Sequence, residues 1–203
     1  MIKLEEIKKF KTASHKFGVY KKRILHKILN KNIPQCNQNE FNLYDYIFFW
    51  GYDHKILNKN SSKVIFVEDG FIRSVGLGAE ATKPVSWIFD DKGIYFNSKS
   101  SSQLEEILST IELTTEQDSR IKKIHDQILV GNLTKYNLRK TEKKLEYDPE
   151  NILVLGQVDD DLSIKYGSQQ IKKNIQLLQE VRNDFPKKNI LYKPHPDLSL
   201  IHI

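Results

Sequence analysis

Residues 151–156 read NILVLG, and this stretch decides the fold class. Its apolar run carries no polar alternation, the mark of a strand in a parallel sheet covered on both faces. A polar loop follows (QVDDDLSIKYGS, 157–168). The spacing beyond it predicts a helix over about 169–183 and a second strand over Asn189–Tyr192. A helix between two hydrophobic strands argues for a parallel pair joined by a right-handed crossover. The fold class is therefore α/β. The sequence given stops soon afterwards, at PDLSLIHI (196–203). Two strands and one helix leave both sheet faces poorly covered, so a truncated second domain is expected.

Working back, the charged stretch TKYNLRKTEKKLEYDPEN (134–151) reads as a crossing segment. It places a domain boundary near 140–150, giving an N-terminal α/β domain over 1–145 and a partial C-terminal one over 146–203. Within the first, YDYIFFWG (44–51) reads as a buried strand at Tyr46–Trp50, and KVIFVEDG (63–70) as another at Val64–Val67. SWIFDDKGIYFN (86–97) reads as a hairpin, with strands Trp87–Phe89 and Ile94–Phe96 about the turn Asp90-Asp91-Lys92-Gly93. Helical periodicity covers 101–110, behind a serine run able to cap it, and 115–129. The N-terminus is expected to hold two helices, 2–12 and 15–30, stopped by Pro34.

Composition narrows the function classes. The chain has 203 residues, 39% hydrophobic and 29% charged, which suits a folded globular protein. No apolar run is long enough to span a bilayer, and the N-terminus lacks the apolar core and cleavage site of a secretory signal. One cysteine, Cys36, excludes an internal disulfide and argues against a cysteine-built metal site; no metal site is expected. The expected location is the cytoplasm, peripheral at the inner membrane. The net charge of +6 is concentrated: residues 1–33 hold ten basic and two acidic residues, +8, leaving about −2 for the rest. Such a basic helical arm suits anionic lipid headgroups, or equally a solvated helix face. Nucleic-acid binding is disfavoured, because no recognition module accompanies the charge.

Open α/β sheets bind ligands beyond the carboxyl ends of their strands, and three polar clusters fall there. In VEDGFIRSVGLGAE (67–80), Glu68, Asp69 and Arg73 place two carboxylates and a forked cation in one turn, with glycines 70, 76 and 78 allowing close approach. The same residues also suit a purely structural loop in which Arg73 pairs with Glu68 or Asp69. In GQVDDD (156–161), three adjacent carboxylates repel one another, and if partly buried at least one should resist ionisation. That suits a nucleophile or general acid; it equally suits a solvated acidic turn in which Asp161 or Ser163 caps the next helix. In YKPHPD (192–197), Lys193 and His195 sit between prolines as a phosphate clamp or as ordinary surface residues.

Four segments in order, VEDGFIRSVGLG, KPVSWIFDDKGIYFN, LVLGQVDDDLSIKYGS and LYKPHPD, cover most of 63–197. Together they resemble the capsule polysaccharide synthesis family of KpsC/LipA type, bacterial transferases of the acidic sugar Kdo in β linkage. The resemblance implies a GT-B-like architecture of two Rossmann-like domains, with an acceptor-side N-terminal domain and CMP-Kdo in the C-terminal one. It implies CMP-Kdo as donor, a glycolipid acceptor and no further cofactor. Carried onto this chain, His195 and Pro196 would bind the CMP phosphate, with Lys193 beside them. Asp161 matches the aspartate of the family's GQVxxD pattern and would act at the anomeric carbon, with Asp160 as second choice and Gln157 lining the site. Glu68, Asp69 and Arg73 would line the cleft. Asp90 and Asp91 are better explained by hairpin geometry, and Asn97 stands where an acidic residue is expected. The competing readings are a GT-B-type enzyme using another nucleotide sugar and a non-catalytic, membrane-associated capsule assembly protein.

Overall fold

The computed structural model describes residues 3–56, 63–77, 82–138 and 148–195. Two sheets organise them. The larger has four strands in the order β1 (Thr12–His15), β2 (Tyr46–Trp50), β3 (Lys63–Asp69) and β4 (Trp87–Asp90). The first three are parallel, and β4 runs antiparallel to β3. The smaller pairs β5 (Ile152–Leu155) with β6 (Ile190–Lys193) in parallel, in the register Leu155↔Lys193.

The aromatic run of β2 is buried on both sides, as an uninterrupted apolar strand requires. Ile47 and Phe49 join Val64 and Phe66 in one core layer with Phe41, Tyr52 and Ile94. Phe48 faces the opposite way and meets Ile65, Val67, Leu25, Leu29 and Ile33. Helix α2 (Val19–Leu29) supplies the second layer, and the short α1 (Leu4–Ile7) adds Ile7 to it. The N-terminal basic segment is therefore built into the core.

Several sequence expectations change here. The helix expected over 2–12 shrinks to α1, and Thr12–His15 forms strand β1. Period-3.6 matches in IKLEEIKKF concealed this four-residue strand, whose Ala13 and Ser14 are buried against β2. The hairpin is not formed: β4 pairs with β3, and Ile94–Phe96 is a turn. Asp90 explains the difference. Buried at 1% exposure, its carboxylate accepts from the amides of Lys92 and Gly93 at 2.9 Å and from that of Gln103 at 2.9 Å. It thereby folds the chain back onto α3 (Gln103–Thr110). Ser102, from the serine run expected to supply the cap, caps α3 through a capping box, and Thr114 caps α4 (Thr115–Val130) in the same way.

The helix expected over 169–183 is α6, which starts later (Asn174–Asp184), and the expected loop before it holds a further short helix, α5 (Leu162–Gly167). Val154 of β5 is buried, while Leu153 and Leu155 are 59% and 53% exposed. One face of this sheet is thus open, contrary to the two-sided cover its apolar run predicts. Helix α5 joins the two sheets. Tyr166 stacks edge-on to Tyr52 at 5.0 Å, its carbonyl accepts from the Ser98 amide at 3.1 Å, and Leu162 lies against Gly51. No helix among the described residues is long and apolar enough to cross a membrane.

Candidate functional site

The first cluster lies at the carboxyl end of β3. Gly70 is required there, because a Cβ would run into the Ser86 side chain. Arg73, 3% exposed, donates through Nε to Asp69 Oδ2 at 2.9 Å and through Nη1 to Ser74 Oγ and Thr82 Oγ1, each at 2.9 Å. The arginine thus pairs with Asp69, and Glu68 makes no ion pair among the described residues. Burial pushes the Glu68 carboxyl above its usual range; the Asp69 amide at 2.9 Å, Lys21 and Lys135 oppose this, and Asp69 adds to it. Asp69 Oδ1 is buried with no hydrogen-bond partner. The backbone of 135–136 fastens the loop: the Lys135 carbonyl accepts from Arg73 N at 2.8 Å, and that of Tyr136 from Gly76 N at 2.8 Å. Gly78 lies outside the described residues.

The second cluster follows β5. Gly156 passes so close to the Tyr192 ring that any Cβ would overlap it. Asn174, at the start of α6, clamps the loop. It accepts from the Gln157 amide at 2.8 Å and donates to the Gln157 carbonyl at 2.7 Å and to Asp159 at 2.9 Å. Asp161 is the N-cap of α5, its Oδ1 accepting from Ser163 N at 2.7 Å. Asp159, Asp160 and Asp161 are all exposed, so the burial on which suppressed ionisation depended is not there. Capping fixes the Asp161 side chain and leaves Oδ2 available. Asp160 has no such tether.

The third cluster begins where β6 ends. Lys193 pairs in register with Leu155, and its carbonyl accepts from Gly156 N at 2.8 Å. The GQVDDD loop and the Lys193–His195 segment therefore leave the same sheet edge side by side. Lys193 is exposed and His195 half-buried, and Pro196 lies outside the described residues.

Tyr95 ties the first two clusters together. Its ring packs on Phe71 at 5.2 Å and Phe96 at 5.4 Å. The phenol is pushed up to about 12, first by burial and then by Glu68, Asp161 and Asp69. Carboxylates of the β3 end and of the α5 N-cap thus both act on this one hydroxyl. Sequence reasoning missed Tyr95, having placed it in a hairpin strand, and Asn174, which follows an unremarkable lysine pair. It also counted Lys21 as arm charge; the ammonium instead sits 3.3 Å from the centroid of the Trp50 ring. Burial lowers the Lys21 pKa against the pull of Asp69 and Glu68. Asn97 is structural: buried at 6%, it donates to Tyr52 Oη at 2.9 Å and to Ser100 Oγ at 2.6 Å. No group of three His, Cys, Asp or Glu suited to a metal occurs among the described residues. Cys36 is buried, which pushes its thiol up to about 11 and removes it from nucleophilic chemistry.

Comparison with known proteins identifies the chain's relatives. The chain matches the capsule polysaccharide biosynthesis protein family over residues 51–147 and 119–202. It is 43% identical over 133 residues to the capsule polysaccharide modification protein LipA of Neisseria meningitidis, covering 65% of this chain and 19% of LipA. It is 34% identical over 160 residues to the lipopolysaccharide-processing protein LpsZ of Rhizobium meliloti, covering 74% of this chain and 36% of LpsZ. Among solved structures, it resembles the β-Kdo 2,7 transferase of Thermosulfurimonas dismutans KpsC with a TM-score of 0.67 and 31% identity. That match covers 92% of this chain and 62% of the KpsC chain. The β-Kdo 2,4 transferase of the same organism's KpsC gives a TM-score of 0.75 at 24% identity, a likeness of fold, with 93% and 62% covered. The chain thus spans about a fifth of LipA and under two thirds of these structures. With the family match spanning most of its length and the LipA and KpsC likenesses beside it, the chain belongs to the capsule polysaccharide biosynthesis family of KpsC/LipA type.

Proposed function

We propose that this chain forms the core of a GT-B-like glycosyltransferase that moves Kdo in β linkage from CMP-Kdo to a glycolipid acceptor, with retention of configuration. The single observation that carries this reading is the packing of α5, whose N-cap is Asp161, against the N-terminal sheet, where Tyr166 meets Tyr52 at 5.0 Å and its carbonyl accepts from the Ser98 amide at 3.1 Å. GT-B chemistry needs an acceptor-side and a donor-side sheet facing one cleft, and these residues provide such a junction. The N-terminal domain, 1–145, takes the acceptor side, and 146–203 contributes to the donor side.

Asp161 acts as nucleophile. Its Oδ1 is held by the Ser163 amide at 2.7 Å, so Oδ2 faces the reaction with little rotamer entropy to lose. Oδ2 attacks the anomeric carbon, the bond to the phosphate oxygen breaks, and CMP departs with its charge offset by Lys193 and His195. The acceptor hydroxyl then attacks the same carbon, its proton passes to Glu68, and the ester to Asp161 breaks. Two inversions give net retention, and nearby carboxylates stabilise the oxocarbenium-like transition states. A buried carboxyl with a raised pKa suits Glu68 for taking up and giving back that proton. The reaction written this way needs no metal and no cofactor beyond the donor.

Membrane contact is part of the proposal. Exposed Val19 and Tyr20 on α2 stand beside the cations Lys22, Arg23 and Lys27, apolar and basic groups fit for an anionic leaflet.

Intact-mass measurement after incubation with CMP-Kdo tests the chemistry. The expected result is a mass increase of one Kdo residue, mapped to Asp161 and lost in Asp161→Asn. CMP should compete with the donor, while UDP and GDP should not. An unmodified Asp161 in protein that binds CMP would refute double displacement. Absent CMP binding would refute the donor assignment.

A further inference from the structure

A second cavity adjoins the cleft on the N-terminal side, and nothing in the reaction as written uses it. Its volume is about 340 Å3, and Lys16, Gly18, Lys21, Trp50, Arg73 and Thr82 contribute to its wall. These residues come from the carboxyl ends of β1, β2 and β3, the sheet edge where ligands of open α/β folds bind.

Charge in this cavity is incompletely matched. Arg73 is 3% exposed, and its Nε and Nη1 are engaged by Asp69, Ser74 and Thr82. Among the described residues Nη2 has no hydrogen-bond partner, so a donor of this fork stays open to a ligand at the cavity wall. The Lys21 ammonium rests 3.3 Å from the Trp50 ring centroid and makes neither a hydrogen bond nor an ion pair among the described residues. Lys16 adds a third cation from a left-handed backbone position, φ 59°, with its ammonium 5.0 Å from the Phe49 ring centroid. No carboxylate is among the lining residues, and Asp69, behind the wall, is already spent on Arg73. Three cationic side chains therefore line a cavity whose described wall holds no acidic group.

We infer that this cavity is the acceptor's anion subsite, in which Arg73 Nη2, Lys21 Nζ and Lys16 grip a carboxylate or phosphate oxygen group of the incoming glycolipid. The inference rests on the transferase reading, because it gives the N-terminal side the acceptor. Guanidinium and ammonium donors bind such oxygens through short charge-assisted hydrogen bonds. The Trp50 face holds Lys21 in place before the ligand arrives, which lowers the ordering cost of binding. The position also orients the acceptor. Arg73 is bonded to Asp69, the immediate neighbour of Glu68, so an anion gripped here sets the acceptor hydroxyl beside the carboxyl that receives its proton.

Titration of the whole chain with free Kdo, Kdo methyl ester and glycerol phosphate, followed by NMR, tests the site. Kdo and glycerol phosphate present the two sources of an anionic oxygen, a sugar carboxylate and a lipid phosphate, and the tighter ligand identifies which source the site takes. Lys21→Gln and the exposed Lys16→Gln should each weaken the preferred anion about tenfold. Lys123→Gln, on the distant α4, should leave its affinity unchanged. The methyl ester should bind no tighter to wild type than to Lys21→Gln. Equal affinity of wild type and both cavity variants for Kdo and for glycerol phosphate overturns the inference, as does ester binding that matches the acid. CMP affinity, measured on the same samples, separates the two levels. Intact CMP binding with no lysine-dependent anion binding removes the subsite alone, whereas lysine-dependent anion binding without CMP binding removes the donor assignment and leaves the cavity an anion site.

Discussion

Glu68 and Asp69 are neighbours with opposite fates, and the difference is one arginine. Arg73 reaches Asp69 at 2.9 Å and leaves Glu68 to absorb its own desolvation. The sign of the pH effect follows. A carboxyl whose folded pKa lies above its unfolded value binds more protons when folded, so it lowers stability as pH rises from the ordinary glutamate range through the raised value. Glu68→Gln removes that penalty. Thermal melts should show the variant gaining on wild type between pH 4 and pH 7, with the smallest difference at pH 4; a constant offset across that range would contradict a raised Glu68. The charge pattern of VEDGFIR was legible in the sequence, including an arginine–carboxylate pair. Which acid would pair was not, since spacing alone puts both within reach of a flexible side chain.

At the scale of elements, the loop after β5 owes its shape to packing as much as to its charges. Gly156 is dictated by Tyr192 on the neighbouring strand: an alanine Cβ would stand 2.8 Å from Tyr192 Cζ. Gly156→Ala should therefore cost about 2 kcal/mol in chemical denaturation, the usual scale of overpacking. Adding Tyr192→Leu should recover most of the loss; failure to recover it would assign the glycine to backbone conformation. Strand β1 teaches the complementary lesson. TASH has weak strand character and lies between segments with helical periodicity, and it becomes a strand because β2 offers a parallel edge to Ala13 and Ser14. Tertiary pairing overrides local propensity in short strands.

For the molecule as a whole, α5 is the piece that makes two sheets into one site. Tyr166 contacts Tyr52 edge-on at 5.0 Å, and its carbonyl accepts from the Ser98 amide and hydroxyl at 3.1 and 3.0 Å. Replacing Tyr166 with alanine removes the ring contact, on the order of 1 kcal/mol, and keeps the backbone bonds. Hydrogen exchange should then quicken at Ser98 and through α5 while β2 and β3 keep their protection. The Tyr95 phenol, relieved of Asp161, should titrate lower than its present value of about 12. Uniform acceleration across both sheets would mean the two units share one cooperative core.

By itself the sequence determined the α/β class, the strands at 46–50 and 152–155, the capped helices near 103 and 115, and four segments that resemble one family. Each is written in local terms, as apolar runs, capping residues and motif order. Only tertiary structure decided that Thr12–His15 would be a strand, that Asp90 would cap α3 instead of closing a hairpin, and that Lys21 would lie on Trp50. It alone brought Tyr95 between the carboxylates of two sheets. The physical reason is common to all four. Burial and pairing depend on partners tens of residues away, and a side chain's charge and reach do not reveal which of those partners will arrive.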